Sequence, residues 1–94
     1  MSGAEVIEEE VEIVNRLGLH ARAAAKLVHT AGGFRSRVAL AKDGEDIDAK
    51  SILGLLLLAA AQGTRLKIRC EGQDEEDAMR AVTALIAGRF GEES

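Results

Sequence analysis

His20 and Ser51 are the residues of this chain best placed to do chemistry. His20 follows Asn15-Arg-Leu-Gly-Leu and stands at the mouth of an apparent helix, with Arg22 beside it in the first turn. Ser51, within Lys50-Ser-Ile-Leu-Gly-Leu55, stands at the mouth of a second helix. First-turn N–H groups have no partner inside a helix, and the helix dipole favours an anion there. Both side chains can carry a phosphoryl group, which would meet donors already in place. Arg22 can add a forked, charge-assisted contact to phosphate oxygens. Gly18 lets the chain turn tightly before the helix. Plainer alternatives stay open. His20 can be a surface cap with a solvated Arg22, although Ser, Asp and Asn cap better than His. Ser51 can be an ordinary N-cap, and for it that is the better reading. A metal role is weak, because His29 lies on another face of the same helix.

These residues need elements to hold them. Val6 to Val14 alternates, with Ile7, Val11 and Ile13 on one face and Glu8, Glu10 and Glu12 on the other, which predicts a strand. Glu9 breaks the pattern, as an exposed edge permits. His20 to Ala31 predicts a helix, with Ala21, Ala24, Ala25 and Val28 as its apolar stripe, widened by Leu27 and Ala31. Gly32-Gly33 stops it. Phe34 to Leu40 predicts a strand, with Phe34, Ser36, Val38 and Leu40 facing one way. Lys42-Asp43-Gly44 signals a hairpin, and a short strand runs on to Asp48. A helix from Ser51 through Leu58 is closed by Gln62-Gly63. Arg65 to Cys70 alternates cleanly, with Leu66, Ile68 and Cys70 inward. Asp74 can cap the last helix, where Ala78, Ala81, Val82, Leu85, Ile86 and Phe90 form one face.

The order is βαββαβα. Each strand has one apolar and one charged face, so helices cover only one side of the sheet. Glu8, Glu10 and Glu12 would then share the open face with Arg65, Lys67 and Arg69, which places the first and last strands side by side. Leu53, Leu55, Leu56, Leu57 and Leu58 are too many for one core face of a short helix. Those left exposed suit a docking surface.

The 94 residues predict one domain spanning 1–94, with 1–5 and 91–94 frayed. A net charge of −4 and the absence of Trp and Tyr argue against nucleic-acid binding. Cys70 is the only cysteine, which rules out an internal disulfide and fits a reducing compartment. The N-terminus does not read as a signal peptide, and no apolar run is long enough to span a bilayer. The expectation is a cytoplasmic protein without direct membrane insertion.

Taken in order, these residues resemble the histidine-containing phosphocarrier (HPr) family of the bacterial phosphoenolpyruvate-dependent phosphotransferase system. The match runs from about Val6 to Phe90. Asn15 to Arg22 is similar to the family's active-site signature, and Lys50 to Leu55 to its regulatory serine signature. The resemblance implies a stoichiometric carrier rather than an enzyme, with no cofactor and no metal. His20 would accept a phosphoryl group on Nδ1 from phosphorylated enzyme I and pass it to IIA-type proteins, with Arg22 assisting. Ser51 would be the target of an ATP-dependent HPr kinase where the host has one. Ala25, Ile52, Leu53 and Leu56 would dock partners. The implied fold is α+β, an open-faced β-sandwich with a four-stranded antiparallel sheet and three helices on one face. The chain departs from the family in having Ala23 where proline is usual. That departure admits a nitrogen-branch regulatory carrier, and a binding module acting through the Ser51 face is the alternative outside the class.

Overall fold

The computed structural model describes residues 6–94. Its elements are β1 (Val6–Glu12), α1 (Ala21–Gly32), β2 (Arg37–Lys42), β3 (Glu45–Asp48), α2 (Ile52–Leu58), β4 (Arg65–Glu71) and α3 (Glu75–Ala87), followed by a 3-10 turn at Arg89–Gly91. The strands form one antiparallel sheet in the order β1-β4-β2-β3. The first and last strands are therefore neighbours, as their charges predict. The expected fraying of residues 1–5 lies outside the described residues.

Register explains which face the helices cover. Ile7 pairs with Cys70, Glu9 with Ile68 and Val11 with Leu66. From the other side, Val38 and Leu40 pair with Cys70 and Ile68. Because side chains alternate along a strand, all of these point to one face. Val38, Leu40, Leu66, Ile68 and Cys70 are buried there with Leu27, Val82 and Ile86 from the helices. Each such aliphatic side chain contributes about 1.5–3 kcal/mol by leaving water. Glu9 shares the inward side but stays exposed, as an edge strand allows. On the open face Glu8 pairs in register with Arg69, Glu10 with Lys67 and Glu12 with Arg65. Arg69 also reaches Asp46, its Nη1 donating to Oδ2 at 2.7 Å.

The structure departs from expectation in several local details. In α1 the buried residues are Ala23, Ala24, Leu27 and Ala31, while Ala21 and Ala25 are exposed. The buried stripe is thus shifted from the predicted one. β2 begins at Arg37 rather than Phe34, because the backbone before it turns to Asp74. The Asp74 carboxylate accepts the N–H groups of Arg35 and Ser36, each at 2.9 Å, and the Ser36 hydroxyl. Asp74 stands at the N-cap position of α3 but makes no side-chain cap. α2 is closed by Ala59 in a left-handed conformation (φ 51°), not by Gln62-Gly63. Those two residues instead bind the chain after β1: Gly63 N–H donates to Ile13 O at 2.7 Å and Gln62 Nε2 to Val14 O at 3.1 Å. α3 stops at Ala87, and Phe90 is buried from the turn that follows. Met79, absent from the predicted face, is buried, while Ala81 and Leu85 are half-buried.

Candidate functional site

The approach to His20 is fixed by backbone contacts before any side chain acts. The Leu19 N–H donates to Ala60 O at 2.8 Å, and the Ile13 N–H to Thr64 O at 2.9 Å. The loop from Ile13 to His20 is thereby clamped to the segment between α2 and β4. Gly18 sits at the tightest point with φ +69°, where a Cβ would lie 2.5 Å from Ala60 O. Only glycine fits that approach. Asn15 braces the turn from below: it is fully buried, and its Nδ2 donates to Gly18 O at 2.8 Å.

This loop delivers His20 to the N-cap position of α1 in extended backbone. The ring is held at both nitrogens. Nδ1 accepts the Arg22 N–H at 3.2 Å. Nε2 meets the Glu92 carboxylate, which arrives from the chain's far end. The other Glu92 oxygen accepts from Asn15 Nδ2 at 3.0 Å. The tail expected to fray is therefore folded back at Glu92, because a buried amide and an imidazole give its carboxylate two partners. Those bonds, Asn15's first and then His20's, hold the Glu92 carboxyl below the usual carboxylate range. Arg22 is exposed, and its guanidinium is in none of the ion pairs found among the described residues. The Ala23 N–H, next in the same turn, has no hydrogen-bond partner among the described residues. The mouth of α1 thus presents an imidazole, a free backbone donor and an uncommitted guanidinium together.

Ser51 caps α2, its Oγ accepting the Gly54 N–H at 3.1 Å. α2 packs against α1, which carries His20 at its start. Only Leu55 of α2 is fully buried. Ile52 and Leu56 are exposed, as are Leu53 at 65% and Leu57 at 76%, and Leu17 of the approach loop is exposed too. Ala25, Ile52, Leu53 and Leu56 are thus all accessible, as a docking role requires. Leu17 and Leu57 extend the exposed apolar set beyond the residues the sequence singled out.

Asn15 and Glu92 are the site residues that sequence reasoning missed. Asn15 stood inside the quoted motif without a role, although a polar residue ending an apolar strand was a usable signal. Glu92 gave no local signal. His29 is exposed on α1, and the described residues contain no group of three or more His, Cys, Asp or Glu able to hold a metal. Cys70 is buried on the inward face, where burial pushes its thiol up to about 11.

An open-faced sandwich with a half-buried histidine at a helix mouth defines the class to compare against. The family pattern described as "PTS HPr component phosphorylation site" matches residues 7–88. The chain belongs to the HPr family, the phosphocarriers of the phosphotransferase system. It is 47% identical over 89 residues to phosphocarrier protein HPr of Xylella fastidiosa, covering 95% of this chain and all of that one. It is 48% identical to the HPr of Cupriavidus necator, covering 93% of this chain and 98% of the relative. Among solved structures, HPr-C-His of Thermoanaerobacter tengcongensis superposes with a TM-score of 0.90 at 45% identity, over 94% of this chain and 99% of that one. No helix among the described residues is long and apolar enough to cross a membrane.

Proposed function

We propose that the protein carries a phosphoryl group on His20 Nδ1, received from phosphorylated enzyme I and handed to a IIA-type acceptor in the cytoplasm. The observation that carries this reading is the His20 ring at the mouth of α1, its Nδ1 3.2 Å from the Arg22 N–H. A phosphoryl group at Nδ1 would meet first-turn donors without reorganisation. The Nδ1 lone pair forms a bond to phosphorus as the donor's N–P bond breaks. The onward step repeats that exchange with the acceptor as nucleophile, so the protein ends unchanged and is a carrier, not an enzyme. Arg22 neutralises the phosphate oxygens. Ala25, Ile52, Leu53 and Leu56 dock both partners. Ser51, at the start of the docking helix, is the regulatory site an HPr kinase/phosphorylase would use.

Incubation with enzyme I and phosphoenolpyruvate tests the reading. The protein should gain one acid-labile phosphate, and His20→Ala should gain none while remaining folded. Arg22→Ala should label more slowly but completely, because the backbone donors remain. An acid-labile label on His20→Ala would assign the carrier role to another residue.

A further inference from the structure

We infer that Glu92 is the positioning residue of His20: its carboxylate holds the Nε2 proton, leaves the Nδ1 lone pair as the nucleophile, and faces the charge the ring gains on phosphorylation. The inference rests on the reading of His20 as the carrier. It starts from the backbone that brings Glu92 there. Three consecutive residues after α3 are left-handed: Arg89 at φ 59°, Phe90 at 54° and Gly91 at 80°. Arginine and phenylalanine take that conformation only when their surroundings impose it. Here the surroundings do so. Phe90 is buried in the core, and Lys26 Nζ of α1 donates to its carbonyl at 2.6 Å. The reversed chain then aims Glu92 back at the mouth of α1.

The two ends of the contact specify one tautomer. An ionised carboxylate is acceptor-only, so the ring must donate from Nε2. Nδ1 accepts the Arg22 N–H, so it must carry the lone pair. Both bonds demand the same form, and that form exposes the nitrogen that attacks phosphorus. Asn15, fully buried, fixes the second carboxylate oxygen and with it the carboxylate plane. The His20 and Glu92 side chains are 21% and 19% exposed, so water screens the pair only in part. Glu92 lies beyond residues 7–88, the stretch that matches the family pattern.

The charge balance gives the contact a second role. When Nδ1 bonds to phosphorus and the donor's N–P bond breaks, the Nε2 proton stays. The phosphorylated ring is then a cation facing a carboxylate, as the imidazolium faces aspartate in a catalytic triad. Passing the phosphoryl group on returns the ring to its neutral form with the proton still in place.

The test compares the full chain with Glu92→Ala and Glu92→Gln. Nitrogen-15 NMR of the neutral His20 ring should show the Nε2–H form alone in the parent chain. Glu92→Ala should show both forms in exchange, and Glu92→Gln, with one acceptor oxygen for the two donors Asn15 Nδ2 and His20 Nε2–H, should restore the Nε2–H form only in part. With enzyme I, Glu92→Ala should lower kcat about three- to tenfold with KM for the carrier unchanged. Glu92→Gln should fall between, keeping one acceptor without the charge. An Nδ1–H ring in the parent chain, or unchanged tautomer or turnover in Glu92→Ala, would overturn the inference. The tautomer is read without phosphoryl transfer. Failure of the carrier reading shows separately, as absence of acid-labile phosphate on the parent chain.

Discussion

Around His20 each neighbour has one task. Gly18 admits the close approach to Ala60, Asn15 braces the turn, and the Arg22 amide points at Nδ1. Among the described residues, Asn15 Oδ1 has no hydrogen-bond partner, so the amide acts here through its two donors. Gly18→Ala puts a methyl group into a carbonyl oxygen at a left-handed position. It should destabilise the protein by about 2–4 kcal/mol in urea unfolding, and the survivors should accept phosphate slowly because His20 is displaced. Ala23 behaves differently. Its N–H has no partner among the described residues, so Ala23→Pro removes no hydrogen bond there. Stability should change by less than about 1 kcal/mol. A larger loss would show that the ring does not fit the buried position Ala23 occupies. The turn and helix mouth around His20 were legible because glycine, histidine and arginine sit together in sequence. Glu92 was not legible, since its partners lie 77 and 72 residues away in sequence and nothing beside it pointed to them.

Among the elements, α2 and the Asp74 junction carry the most information. The leucines of α2 outnumber what one face can bury, and the exposed Leu53, Leu56 and Leu57 follow from that count. Aspartate caps a helix as well as serine does, so Ser51→Asp should leave melting within about 0.5 kcal/mol of the parent chain. It should still cut the rate of His20 phosphorylation at limiting carrier concentration by on the order of tenfold, because a partner must desolvate the new charge. Normal rates would leave Ser51 as a cap alone. The α1 face was misread for a physical reason: Ala21, Ala23, Ala24 and Ala25 are equal in size and polarity, so periodicity cannot rank them. Asp74 was misread because a cap residue before a helix looks the same when its oxygens serve a neighbouring strand. Hydrogen bonds from Ser36 and the Arg35 amide lower the Asp74 carboxyl from 3.8 to about 2. A carboxyl lowered by folding stabilises the native state above its unfolded pKa and loses that contribution as pH falls. Asp74→Asn should therefore reduce stability at neutral pH and flatten the decline of melting temperature between 3.8 and about 2.

For the molecule as a whole, one sheet face is a core and the other a ladder of charge. The ladder was legible from alternation and charge, since glutamates on β1 and basic residues on β4 attract one another across a shared face when the strands are neighbours. Its ion pairs are solvent-exposed, so they specify pairing more than they stabilise. Arg69, bound by Glu8 and Asp46, joins three strands through its side chain. Arg69→Ala should lower the melting temperature slightly in dilute buffer, and about 1 M salt should erase most of the difference. Persistence of the full difference in salt would show that Arg69 packs rather than pairs.

The reversal at Arg89–Gly91 also dictates how the protein can be handled. Glu93 and Ser94 follow Glu92 directly, so a fluorophore attached at either pulls on the segment that holds the His20 ring. Val6 opens β1 at the end opposite the loop that leads to His20, about 20 Å away at the rise of a strand. A label at the start of β1 leaves His20 undisturbed, and one just after Glu92 reports on its own interference.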